Sequence, residues 1–418
     1  MSDLEELRRR VAERVQDDAT ELIDLAVELG RMPSPHAQEL PVAQRVVEWL
    51  RENGIESWLQ PITESSANAV GRVRGEGDGP RVIFDAHIDT GPVLSPSAPE
   101  RIRRINDAWE ENGILYGFGL VNCKAQVAAF MLAARALVRE QVRLAGDLIV
   151  AGVTFETGAP SVGSTQGIDY PGEGFGTWWL VNRGVTADYA LIGETSGFGL
   201  VTAECGELGL EIRARGRHVY TPRFARGPEL AEHPSAVVRL AAAVTALEEW
   251  ALDYEQRAAV DSPAGRIVPR AQVYRLEGNP SQSSLRLDIR LAPGANPRQV
   301  EREVRHHLEA AGLTGLEVEP YQWSRGYVAQ GAEALIEAVR GAHGEVIGGT
   351  PPPPPTPEIS MWRDLNIFNE VGIPSICYGA PRASEPYSDS GDRAMRAEDL
   401  VKATQVYALT AVNLCGVA

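Results

Sequence analysis

Apolar positions along the chain fall into two textures, stripes at helical spacing and short unbroken runs. Residues 3–30 carry Leu4, Leu7, Val11, Val15, Leu22, Ile23 and Ala26 on one stripe, which predicts an amphipathic helix closed by Gly30 and Pro33. Val42 to Glu52 repeats that pattern. Runs rich in β-formers follow at 55–59, 69–73 and Val82 to Ala86, then at 146–154 and 188–193, with an Ala-rich helix reaching about Val138 between them. Helices alternating with short apolar strands predict an α/β domain with a mixed sheet flanked by helices.

Near Thr202 the texture changes. Leu208, Leu210 and Ile212 alternate with polar residues, as on a half-exposed strand, and a long helix is predicted from Pro234 to Ala258. Alternating strands at 271–276 and 285–291 and a helix at 297–311 complete a compact α+β unit. From Ala332 the helix, strand, helix order returns, so the unit reads as an insertion. The predicted division is 1–203 with 321–418 for the larger domain and 204–320 for the insert. Pro351 to Pro355 reads as a surface loop.

Composition narrows the class. The 418 residues are 44% hydrophobic, enough for a sizeable core, and carry a formal charge of −17, which argues against nucleic acid or an anionic membrane as partner. Four dispersed cysteines, Cys123, Cys205, Cys377 and Cys415, suit reduced thiols better than a disulfide framework. The amphipathic start lacks the apolar core of a signal peptide and no apolar run approaches about 18 residues, so a cytoplasmic protein without a membrane span is expected.

Candidate chemistry begins at His87 and Asp89, alternate residues at the end of a buried strand, whose side chains therefore leave the same side. One reading is a metal-binding imidazole whose tautomer the carboxylate fixes. The other is a strand-end histidine held by a local hydrogen bond. Further along, Glu156 and Glu194 each follow an apolar strand. Asp85 reads as a strand-end hydrogen-bonding residue, His36 as a surface residue and Cys123 as an inert thiol.

With Glu194 reached, the chain resembles the family of acetylornithine deacetylases, succinyl-diaminopimelate desuccinylases, aminoacylases and glutamate-releasing carboxypeptidases. Five pieces carry the resemblance: His87 to Asp89; Tyr116 to Lys124; Gly146 to Gly158, containing Glu156; Ile192 to Thr195; and Leu287 to Arg290. It covers nearly the whole chain. It implies a co-catalytic zinc hydrolase whose catalytic α/β domain is interrupted by a smaller α+β lid, through which such proteins often form homodimers.

The family pattern implies two zinc ions sharing a bridging Asp, a Glu-Glu pair whose first member is the general base, and a late His ligand. Here the bridging position is Asn122, the pair is Phe155-Glu156, and no His follows His343, leaving Glu385 and Asp389 in the last-ligand stretch. These losses fall on one side of a dinuclear centre. They imply a site that keeps one divalent ion (zinc, manganese or cobalt) on His87 and Glu194, with Asn122 and Glu156 as further ligands, although one or two ions per chain remain open. Asp89 orients His87, and Glu156 is either a ligand or the base. In the lid, Tyr220 stands where the family has an oxyanion-donating His, and Arg290 matches the arginine that clamps a substrate carboxylate. Trp362, Arg363 and Asn366 crowd where substrate contacts belong; a polar network bracing the next strand is the alternative. The expected activity is hydrolysis of an amide or other C–N bond in a small anionic molecule. The competing reading is a degenerate homologue that binds a ligand without turnover.

Overall fold

The computed structural model describes residues 3–90, 107–157, 162, 167–226, 230–383 and 393–418. Two helices, α1 (Asp3–Asp17) and α2 (Ala19–Arg31), stand where the apolar stripe predicts one. Asp18 makes the break. It leaves helical geometry at φ −87°, ψ 9°, and its carboxylate takes Arg135 and Arg139, each at 3.0 Å. Arg135 is 1% exposed, pairs also with Glu21, and lies 5.0 Å over the Trp49 ring. Removing a buried guanidinium leaves its acidic partners under-compensated. Arg135→Met is therefore expected to cost about 3 kcal/mol, read as a lowered midpoint in denaturant unfolding.

α3 (Leu40–Glu52) covers β1 (Glu56–Pro61) and β2 (Ala67–Val73). There follow β3 (Val82–His87), α4 (Ala125–Arg139), β4 (Leu148–Val153), α5 (Phe175–Asn182) and β5 (Tyr189–Gly193). After the insertion come α6 (Glu333–Val346), α7 (Leu365–Glu370), β6 (Ser375–Tyr378) and α8 (Ala397–Cys415). The sheet runs β1-β2-β4-β3-β5-β6; β4, β3, β5 and β6 are parallel, while β2 opposes both β1 and β4. Parallel strands are covered on both faces, which is why β3 and β4 are buried throughout and read as unbroken apolar runs.

Alternation along β3 sets the site. Phe84 packs on Phe130 of α4 and Tyr407 of α8, at 5.0 and 6.1 Å between rings, so Asp85 and His87 leave the opposite face. The stretch Leu120–Arg139 has the length and composition of a membrane span, but 89% of its most apolar window is buried in this core.

The chain divides into two units. The first takes Met1–Thr202, Ala329–Pro355 and Arg363–Ala418; the second takes Ala203–Val328 and Thr356–Trp362. The predicted boundary at 321 cuts a strand, Glu317–Ser324, that pairs antiparallel with Gly206–Arg215. Its Pro320 is tolerated because this is an edge strand with a register shift between Pro320 and Gln322. The second unit's sheet runs 271–278, 282–291, 206–215, 317–324, all antiparallel. Leu208, Leu210 and Ile212 share one core with Leu285, Leu287 and Ile289 and with Leu240, Leu247 and Val304 from the helices Ala236–Arg257 and Pro297–Ala310. The short segment Thr356–Trp362 belongs here too: Ser360 Oγ accepts from the Val268 amide at 3.2 Å, and Ile359 is buried.

Candidate metal centre

His87 ends β3 with 2% exposure. Its Nδ1 faces Asp89, 3.0 Å from the backbone oxygen and 3.3 Å from Oδ1. Nε2 points the other way, 3.2 Å from Glu194 Oε1 and 3.6 Å from Glu156 Oε2, and has no hydrogen-bond partner among the described residues. A buried ring nitrogen that faces carboxylates and makes no hydrogen bond is a polar atom awaiting a partner. Burial disfavours a charged imidazole, yet Cys123, Glu156 and Asp89 around it push its titration well above the ordinary value.

Asp89, wholly buried, does more than face His87. Oδ1 accepts from the Glu156 amide at 3.1 Å; Oδ2 accepts from the Thr157 amide at 2.8 Å and its hydroxyl at 2.5 Å. One carboxylate thus fixes both the imidazole and the turn that presents Glu156. Burial opposes its charge, but His87 and Thr157 hold its carboxyl below the ordinary range. Phe155 precedes Glu156 in a left-handed conformation (φ 58°), buried, with its ring 5.0 Å from that of His36. His36 is half-buried and stacks on Tyr170 at 5.0 Å, so it is part of this aromatic wall rather than a surface residue.

Between β3 and α4 the backbone leaves helical geometry at Asn122 (φ −126°, ψ 85°) and Cys123 (φ −137°, ψ 34°). Asn122 is half-buried. Cys123 is fully buried, and its sulfur joins His87 and Glu194 in a group whose ligand atoms lie within 4.8 Å of one another. The sequence reading of Cys123 as an inert thiol did not anticipate this proximity. The signal was there only as adjacency to the Asn122 position, because the local backbone break decides which side chain enters. Burial and the Glu194 charge push the Cys123 thiol well above its ordinary range while no cation is bound.

Glu194 follows β5. Burial would raise its carboxyl, but His87 and the guanidinia of Arg363 and Arg382 hold it down at about 2. Arg363 donates to the Thr195 backbone oxygen at 3.3 Å and Arg382 to the Thr195 hydroxyl at 2.9 Å. Arg363 and Asn366 are buried, and next to them Asp364 accepts from Thr177 of α5 at 2.8 Å. Asp85 is not the hydrogen-bonding residue expected: among the described residues neither oxygen has a partner, and burial, then the Asp364 charge, drives its carboxyl well up. Asp364 is likewise raised, to about 7, by burial. The sequence places Asp85 beside the His87 motif and Asp364 in the crowded stretch with Arg363, but their approach to each other was not legible, because Asp364 lies far along the chain from β3.

The remaining predicted residues lie in the second unit. Tyr220 is 68% exposed. Arg290 is bound within that unit, to Glu207 at 2.8 Å and Asp288 at 3.2 Å, and Gln322 holds the other Glu207 oxygen at 2.7 Å. Trp362 is buried there as well. The last-ligand stretch with Glu385 and Asp389 lies outside the described residues.

The donor set fits a divalent cation: one imidazole with an unpartnered nitrogen, ionised Glu194, and a surplus of acidic groups around a single histidine. The model of peptidase family M20/M25/M40 matches residues 83–413.

The chain belongs to that family.

Among similar proteins are the succinyl-diaminopimelate desuccinylase of Corynebacterium glutamicum, 26% identical over 371 residues, and a LysW-lysine hydrolase of Deinococcus radiodurans, 28% identical over 374. Each alignment covers 86% of this chain and 88% of the relative. Human carnosine dipeptidase 1 has the same fold, with a TM-score of 0.73 at 15% identity over 98% of this chain and 99% of that one. A dinuclear metal-binding M20 peptidase of Bacillus subtilis superposes with a TM-score of 0.57 at 15% identity, covering 95% and 98%. This M20 protein is accordingly a hydrolase of C–N bonds.

Behind the centre, Glu39 is buried, accepting from the Ser66 hydroxyl and from the Ala37 amide at 3.0 Å. Burial and then the Asp89 charge raise its carboxyl from 4.5 to about 8. A raised folded-state value means that the stability from this group is fully present below about pH 4.5 and is lost as pH rises through about 8. Glu39→Gln keeps the neutral shape. It is expected to flatten the fall in thermal midpoint across that window, worth roughly 3–5 kcal/mol.

Proposed function

We propose that this M20 hydrolase cleaves an amide or related C–N bond in a small, carboxylate-bearing molecule at an atypical site that binds one divalent ion on His87 and Glu194. The unpartnered, buried Nε2 of His87, 3.2 Å from an ionised Glu194, carries the reading. A bound zinc, manganese or cobalt ion would polarise the scissile carbonyl and acidify a water molecule. Asp89 holds Nδ1 of His87, which leaves Nε2 for the ion. Arg363 and Arg382 keep Glu194 charged.

Glu156 is assigned as the proton carrier. It stands at the mouth of the turn that Asp89 braces, and burial raises its carboxyl well above the ordinary range, as suits a group that takes a proton from water and returns it to the leaving nitrogen. Phe155 occupies the neighbouring position, where the resemblance places a second Glu, so the turn offers one carboxylate for this work. Support for a carboxylate-bearing substrate comes from the relatives' own substrates and from the guanidinium of Arg382 beside the centre; Arg290 as a carboxylate clamp rests on the resemblance. For Arg363 the bracing reading is favoured, because it is buried and ties the Thr195 turn; Trp362 and Asn366 as substrate contacts rest on the resemblance. Tyr220 as oxyanion donor and a homodimer through the second unit rest on the resemblance. Four free, buried cysteines support a reducing, cytoplasmic setting.

Elemental mass spectrometry of the purified protein, paired with a screen of N-acyl amino acids, tests the proposal. About one ion per chain with turnover is the expected result. Two ions would restore an ordinary dinuclear centre, and no ion and no turnover after supply of zinc, manganese or cobalt would overturn the hydrolytic assignment.

A further inference from the structure

A catalytic site for a single divalent ion needs three protein ligands and an open position, and His87 with Glu194 makes two. We infer that the third is the Cys123 thiolate, which takes the ligand place the resemblance gives to Asn122 and makes this a Cys-His-Glu centre. This rests on the single-ion reading above and names its missing ligand.

Three observations carry it. The sulfur, an imidazole nitrogen and a Glu194 oxygen lie within 4.8 Å of one another, and all three residues are buried. His87 Nε2, on a residue with 2% exposure, faces this group with no hydrogen-bond partner. The His87 backbone amide donates to Cys123 Sγ at 3.2 Å. An amide N–H aimed at sulfur supports a ligating thiolate as an outer-shell hydrogen bond supports a ligating imidazole. Among the described residues the sulfur's other partner is the His87 carbonyl oxygen, to which it donates at 3.4 Å as a thiol, a bond given up when a cation replaces the proton. Glu156, at 3.6 Å from Nε2, lies outside the three-ligand group, which leaves it available for proton transfer.

A thiolate also biases the choice of metal. Sulfur donors favour zinc and cobalt over manganese and magnesium, whereas an amide oxygen from Asn122 would favour the harder ions. Cys123→Ser is therefore expected to weaken zinc binding roughly 10–100-fold and to narrow the preference for zinc over manganese.

Full-length protein loaded with cobalt(II) gives a readout independent of turnover. The expected spectrum has a strong thiolate-to-cobalt charge-transfer band in the near ultraviolet, retained in Cys377→Ser and lost in Cys123→Ser. Cys377 is the necessary control because its sulfur lies 4.0 Å from the Glu194 backbone oxygen. X-ray absorption of the zinc-loaded wild type, which needs no variant to fold, should show one sulfur scatterer at about 2.3 Å. Cobalt d–d bands without charge transfer, or a zinc shell of nitrogen and oxygen alone, would overturn the thiolate ligand while leaving the metal site in place. A band that disappears with Cys377 instead would also overturn it. Failure to bind either metal would remove the single-ion reading itself.

Discussion

Glu194→Ala is expected to abolish hydrolysis, with kcat/KM down roughly 10³-fold or more, and to leave the purified protein nearly metal-free. Glu194 is the proposed anionic ligand, facing His87 Nε2 and held ionised at about 2 by His87, Arg363 and Arg382. Without it the site loses a ligand and the charge that attracts the cation, and a metal's electrostatic contribution of several kcal/mol corresponds to a thousandfold in rate. The variant is also expected to lose stability, because the lowered Glu194 carboxyl marks a charge that His87, Arg363 and Arg382 stabilise in the fold. A denaturant midpoint on the same preparation separates loss of the ligand from loss of the fold. Steady-state kinetics with metal analysis on the same preparation checks both halves. Full activity with Ala at 194 would show that the ion, if present, sits elsewhere.

Asp89→Asn should be nearly as damaging, although it changes one atom. Each Asp89 oxygen already accepts hydrogen bonds, Oδ1 from the Glu156 amide and Oδ2 from the amide and hydroxyl of Thr157. An asparagine must turn an NH₂ group against one of these sets of donors, so the turn carrying Glu156 moves or keeps an unsatisfied buried amide. The same substitution removes the charge facing His87 Nδ1. Loss of an imidazole's supporting carboxylate costs about 10–100-fold in metal affinity, and displacement of the proton carrier lowers kcat further, for a combined fall of roughly 10²–10⁴ in kcat/KM. Metal titration and kcat measured at saturating metal separate the two parts. Unchanged kcat under those conditions would mean that Asp89 serves the ion alone.

The legible parts of the fold were those where one short stretch carries its own pattern. β3, β4 and β5 stood out because strands covered on both faces must be apolar throughout, and His87 with Asp89 stood out because alternation fixes a shared side. Other features depend on distant partners. The break at Asp18 follows from Arg135 and Arg139 more than a hundred residues later, and the strand around Pro320 exists because Gly206–Arg215 pairs with it. Cys123 enters the centre through a backbone excursion at Asn122 that no periodicity announces. Asp364 reaches the neighbourhood of Glu156 only when α7 is laid beside the sheet.

The placement of Thr356–Trp362 bears on how the chain is made. The second unit is closed in sequence at Val328 except for these seven residues, which supply buried Ile359 and a hydroxyl for the Val268 amide. On the ribosome, that unit waits for its final piece until α6 and the prolines at 351–355 of the first unit have emerged. A nascent chain halted at residue 328 therefore presents an unfinished edge around Gly265 to Val268, and a fragment that stops there should be more prone to proteolysis than one in which 356–362 is supplied.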